Sequence, residues 1–222
     1  RPRNPNFFFF EEATERFSCR HLTAATLFKI IFDRRKAERQ TRRSIELFET
    51  LGVEKIVTAC AGCGMTMKKN YPEISQKSMG RPPNFKIYDF AEYLIKELGL
   101  ERVSRKLRKS VDLKVTWHDP CHLKRGQGIT EEPLNVIRSI LGLKVLEMKD
   151  LGRCYSSGEG LEPEEISIDG YGKKTRELIV GTRTDLCATE CPFCTIQIRD
   201  VLTTLGSEMQ VANVAGLLAM AM

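Results

Sequence analysis

Cys121, Cys154, Cys191 and Cys194 are the residues of this sequence whose type and spacing carry the most chemistry. Thiolates are soft ligands that select zinc or iron–sulfur clusters. In Cys191-Pro192-Phe193-Cys194 two thiols stand one helical turn apart, so both converge on one ion or cluster, and amides at a helix start lower their pKa. By itself such a pair serves a dithiol redox couple as well as half of a zinc site. The remaining cysteines narrow the choice. Cys121, Cys154 and Cys191 each follow a predicted strand, which puts them at one edge of a parallel sheet, where sites form. Pro120 stiffens the chain before Cys121, and Gly152, Gly158 and Gly160 allow backbone to approach a bulky group and offer N–H donors to cluster sulfurs. A tight zinc site needs no such room, so these four residues read as holding an iron–sulfur cluster.

The elements that must position them alternate. Glu38 to Leu51 has apolar residues at helical spacing and stops at Gly52. Lys55 to Thr58 is a β-branched strand ending on Cys60-Ala61-Gly62-Cys63, with a polar helix after it from Met65. Lys86 to Tyr88 is a strand, Phe90 to Leu98 an amphipathic helix, and Glu101 to Ser110 a basic linker. Strands at Leu113 to Trp117, Lys144 to Met148 and Asp185 to Thr189 follow, with helices at Pro133 to Leu141, Gly172 to Gly181 and from Cys191 onward. Val211 to Met222 fits a buried helix. This pattern is α/β with mostly parallel strands.

An internal repeat organises it. A shift of 131 positions lays Thr58 on Thr189, Cys60 on Cys191 and Cys63 on Cys194, each at a point where a strand gives way to a helix. The expected fold is two pseudo-repeated halves with cysteines on loops at strand ends. Residues 1–36 form an N-terminal leader and helix, in which Phe7 to Phe10 pack onto something else; 37–110 form a first, degenerate cysteine-rich repeat; 111–222 form a second repeat with the cluster site. Cys60 and Cys63 form a subsidiary site for a second cluster or zinc, against a packing role; Cys19 is a poor third partner for them. Cys187, inside a strand, is read as a small core residue.

Eight cysteines with no visible export signal point to metal or redox work rather than structural disulfides. The net charge of +6 is spread along the chain and suits an anionic substrate or acidic partner. No aromatic-basic signature of nucleic-acid binding, phosphate loop or Ser/His/Asp arrangement stands out, so electrons must come from another protein or domain. No apolar run has the length of a membrane span. The chain is expected in the cytoplasm, with any membrane attachment through a partner. It begins with Arg1, as a fragment of a longer polypeptide would.

The strings His118-Asp119-Pro120-Cys121-His122-Leu123, Arg153-Cys154 before a Gly/Ser-rich loop, and Cys191-Pro192-Phe193-Cys194 resemble the cysteine-rich, or CCG, domain of the B- and D-type subunits of heterodisulfide reductase and of related iron–sulfur oxidoreductase subunits. Cys60-Ala61-Gly62-Cys63-Gly64-Met65 resembles the corresponding end of the first repeat. The resemblance implies a 4Fe-4S cluster, cubane or noncubane, exchanging electrons with a small thiol/disulfide couple, with His118 or His122 as catalytic residues assisting protonation. It implies a redox partner subunit that is ferredoxin-like, a flavoprotein or a membrane cytochrome. One departure matters: the family's noncubane site uses an adjacent cysteine pair, and here Tyr155 follows Cys154. That motivates an alternative, an electron-transfer or scaffold subunit that makes and breaks no bonds, with a structural zinc protein as a third reading.

Overall fold

The computed structural model describes residues 7–9, 34–148 and 179–222, the first three by backbone alone. Cys19, Cys154, Tyr155, the glycine loop at 152–160 and most of the expected helix at 172–181 lie outside the described residues. Backbone contacts divide the chain into one unit over 1–90 and another over 91–222.

In the first unit, strands β1 (Phe7–Phe9), β2 (Lys55–Thr58) and β3 (Lys86–Asp89) form a parallel sheet in the order β1-β2-β3, with Ile56 opposite both Phe8 and Ile87. The leader expected over 1–36 therefore contributes an edge strand, and Pro2, Asn4 and Pro5 mask that strand in the sequence. Helix α1 (Arg34–Thr50) buries Ala37, Thr41, Ser44, Ile45 and Phe48, a stripe at helical spacing. Helix α2 runs over 61–79, as an α turn Ala61–Met65, a π segment Thr66–Asn70 and an α segment Tyr71–Met79. The core gathers Ile45, Phe48, Val53, Ile56, Met67, Tyr71 and Phe85 around Cys60 and Cys63.

Helix α3 runs over 90–98, where the sequence suggests one, with all but its first residue in the second unit; a short helix α4 (Leu100–Ser104) follows, where the sequence suggests only a linker. The sheet of the second unit is β5-β4-β6-β7, all parallel, built from β4 (Lys114–Trp117), β5 (Lys144–Val145), β6 (Leu186–Ala188) and β7 (Gln210–Ala212). Val115, Thr116, Trp117, Leu186, Cys187 and Ala188 are all buried, which explains why β4 and β6 read as near-continuous apolar runs. The strand expected over 144–148 is shorter, Lys144–Val145: the Leu146 amide still donates to the Val115 carbonyl at 2.8 Å, but its side chain is exposed and the regular pairing with β4 goes no further. Helices α5 (Cys121–Gln127), α6 (Glu131–Arg138), α7 (Pro192–Thr204) and α8 (Val214–Ala221) complete it. The C-terminal segment read as one helix is β7 followed by α8, with Asn213 accepting a hydrogen bond from the Gly216 amide between them.

Candidate metal centre

The central strands of the second sheet lead to Cys121 and Cys191, two of the four predicted ligands. β4 and β6 lie side by side with Trp117 opposite Ala188, and the His118 amide donates to the Ala188 carbonyl at 2.9 Å just beyond the strand end. Cys121 follows β4 and Cys191 follows β6, so both leave the same edge from neighbouring strands. From β4 the chain returns through β5 on one side; from β6 it continues to β7 on the other. The gap between them is therefore a point where the winding reverses, the place in a parallel sheet where crevices open. In the first unit the described strands keep the chain order β1-β2-β3, and among the described residues Cys60 leaves the middle strand at no such point.

Cys121 is the first residue of α5, with Pro120 before it in extended conformation, and the Leu123 and Lys124 amides both donate to the Pro120 carbonyl at 2.9 Å. The sequence suggests a loop here. Proline at the N-cap with φ already near the helical value lets the turn start at once. Cys121 is half-buried, whereas Cys191 and Cys194 are 5% and 8% exposed. Cys191 is the N-cap of α7 and Cys194 lies in its first turn. Among the described residues no three His, Cys, Asp or Glu side chains close around a single metal ion. The placed donors Cys121, Cys191 and Cys194 are all thiols, which is the chemistry of an iron–sulfur cluster or a zinc site.

Two buried carboxylates stand beside these cysteines. Asp119 accepts the Trp117 indole N–H and, at 2.9 Å, the Lys124 ammonium. Glu190, fully buried, accepts the Val214 amide at 2.9 Å and so ties the chain just before Cys191 to the start of α8. Both hold loops where burial of a charge demands partners. Sequence reasoning missed Glu190 and gave Asp119 no role beyond its place in the His118-Asp119-Pro120-Cys121 string. Glu190 has one available signal: it stands where the repeat has Ala59 in the first half.

His118 is 1% exposed, and burial pushes its imidazole down to about 3, so it is neutral at neutral pH. His122 is half-buried on the first turn of α5. Cys187 is fully buried in β6, and burial pushes its thiol up to about 12, as a core residue. Trp117 is 1% exposed beneath the chain that leads to Cys121.

The subsidiary pair is packed differently. Cys60 and Cys63 are part of the first core, and the Cys63 amide donates to Cys60 Sγ at 3.4 Å. Tyr71, in the same core, has its phenol pKa raised by burial. Two thiols in an apolar cluster behave as small hydrophobes.

The sequence model of the cysteine-rich domain family, CCG, matches residues 24–68 and 115–199. The chain is similar to one component of a fumarate reductase (CoM/CoB) from Methanothermobacter marburgensis, 38% identical over 184 residues, which are 82% of this chain and 34% of that protein. It is 36% identical over 189 residues to an uncharacterized iron-sulfur protein of Methanococcus maripaludis, covering 82% of this chain and 35% of the other. One component of the dihydromethanophenazine:CoB–CoM heterodisulfide reductase of Methanosarcina acetivorans is 29% identical over 191 residues, 84% of this chain and 45% of that protein. The chain thus spans between about a third and just under half of the length of these relatives.

Proposed function

The chain belongs to the cysteine-rich domain family, and from that membership we propose that it is an iron–sulfur part of an oxidoreductase complex, passing electrons to or from a thiol/disulfide couple. The observation that carries this reading is the departure of Cys121 and Cys191 from adjacent parallel strands on either side of the reversal in winding, with Cys194 one turn further on. The similarity to a heterodisulfide reductase component and to an iron-sulfur protein supports it. In this reading Cys121, Cys154, Cys191 and Cys194 hold a 4Fe-4S cluster.

When bound, such a cluster stores and passes single electrons at a potential set by the charge and hydrogen bonds around it. Cleaving a disulfide consumes two electrons and two protons and yields two thiols; the electrons come from a redox partner. The chain's own groups supply the rest. Burial of Cys191 and Cys194 excludes water from one side, while half-buried Cys121 marks the side open to a substrate. His122, which follows Cys121 in the chain, is the group proposed to hand a proton to a leaving thiolate. His118, buried and neutral, holds the end of β4 to β6 through its amide. Cys60 and Cys63 are read as packing.

Among the described residues no helix is long and apolar enough to cross a membrane; separately, any membrane attachment is proposed to come through a partner. A second reading, an electron-transfer subunit without bond chemistry, rests on Tyr155 in place of a fifth cysteine. Anaerobically prepared protein, assayed for iron, sulfide and zinc and examined by electron paramagnetic resonance, tests both. Iron and sulfide with a reducible signal support the proposal; zinc without sulfide overturns it. A signal that shifts when a heterodisulfide is added supports bond chemistry, and one that ignores it favours the second reading.

A further inference from the structure

Of the three placed thiols, Cys191 and Cys194 are held by burial in the packing of α7, but Cys121 is half exposed and needs another restraint. The residues around it provide one. Trp117, four positions before Cys121, donates its indole N–H to Asp119 Oδ1. Lys124, three positions after it, donates from Nζ to Asp119 Oδ2 at 2.9 Å. The two bonds reach outward from one carboxylate across the strand end and the helix start, closing the segment from Trp117 to Lys124 into a ring with Pro120 and Cys121 inside. Within that ring the backbone has little freedom left: Pro120 fixes φ at −65° and its carbonyl receives two amides of α5.

The partners suit a restraint that does not yield. Trp117 is the chain's single tryptophan and one of its most buried large side chains, so the ring is anchored in the core. The Asp119 side chain is 5% exposed, so a charge there is costly unless paired, and Lys124, 38% exposed, brings the opposite charge from the solvent side. A hydrogen bond between two charged groups is among the stronger and shorter kinds.

We infer that Asp119 is a positioning residue for Cys121, clamping Trp117 to Lys124 so that the thiol is presented from the first position of α5 in one orientation. The inference rests on the proposed role of Cys121 as a cluster ligand, but it can be read without the cluster.

The experiment uses the full chain in both states. In metal-free protein, iodoacetamide labelling followed residue by residue by mass spectrometry should show Cys121 reacting severalfold faster in Asp119→Asn and Lys124→Gln, with Cys191 unchanged. Lys124→Arg, which keeps the ion pair, should label at the wild-type rate. In protein loaded with iron and sulfide, Asp119→Asn and Lys124→Gln should hold iron against a chelator roughly ten- to a hundredfold less well, the usual cost of losing a group that orients a ligand. Their cluster signal should also shift, while Lys124→Arg matches wild type. Wild-type labelling and retention in Asp119→Asn and Lys124→Gln would overturn the inference, as would an equal rise at Cys191, which indicates general loosening. Should wild-type protein take up no iron and sulfide, the cluster reading fails while the labelling arm still decides the clamp.

Discussion

Cys60 and Cys191 share one backbone conformation, φ/ψ of −132°/106° and −129°/117°, and each caps a helix in which the amide four residues on donates back to the cysteine carbonyl at 2.9 Å. The repeat seen in the sequence is thus a repeat of local structure. What differs is the surroundings: Cys60 and Cys63 sit in an apolar core, with no reversal of the sheet there among the described residues, whereas Cys191 leaves β6 beside the strand that delivers Cys121.

That difference separates the two pairs in a metal assay. Cys121→Ser and Cys191→Ser should each lose most of the bound iron, since a serine hydroxyl is a poor substitute for a thiolate. Cys63→Ala should keep the wild-type iron content and lower stability by about 1 kcal/mol through a small core void. Iron loss in Cys63→Ala equal to that in Cys191→Ser would show that the first pair ligates too.

Glu190 joins the Cys191 loop to the start of α8 through the Val214 amide. Glu190→Gln retains an acceptor and should unfold in urea near the wild-type midpoint. Glu190→Ala leaves a buried N–H unsatisfied and should cost about 1–3 kcal/mol. Equal midpoints for the two variants would show that the contact is dispensable.

The neutral imidazole of His118 makes the fold acid-sensitive. Its ordinary value is 6.5 and its folded value about 3, so between them the unfolded chain binds a proton that the native state does not. The stability it contributes is intact above pH 6.5 and falls as pH drops toward 3, by up to about 1.4 kcal/mol per pH unit for this one group. Urea unfolding of wild type and His118→Gln across that range isolates the effect: the difference between their slopes should have this sign. Parallel slopes would remove the imidazole as the cause.

Gly142 closes the turn between α6 and β5 with φ of +81°, and a Cβ there would run into Ser110 Oγ and lie 3.1 Å from the Val111 carbonyl. The neighbouring Leu141 carbonyl accepts the Val111 amide at 2.7 Å, so this turn holds the entry to β4. Gly142→Ala should cost at least about 1–2 kcal/mol, from the left-handed backbone alone. A melting temperature equal to that of wild type would show that the turn relaxes freely.

Much of the fold could be read where a single pattern dominates. Lys55–Thr58 and Lys114–Trp117 are short β-branched or aromatic runs whose last three residues are buried, and α1 has a clear helical stripe. Other elements carried no such signal. Helix α5 has only Leu123 and Gly126 buried among polar neighbours, so no apolar period marks it, and β7 merges in composition with the apolar α8. The placement of Cys121 and Cys191 at one edge followed from reading both as strand ends, but not the reversal between β4 and β6, which depends on pairing order. The Asp119–Lys124 bond spans five positions across a strand-to-helix junction, where neither period applies.

The pairing order has a further bearing on how the second unit comes apart. Among the described residues β5 and β7 are the outer strands, and β4 and β6 are each flanked on both sides. Fluctuations that expose amides to exchange begin at frayed edges and short outer strands, so the amides of Val115, Thr116, Cys187 and Ala188 belong to the slowest-exchanging part of the sheet. Cys121 and Cys191 each follow one of these two strands within four residues, so their anchorage should outlast partial openings of either flank.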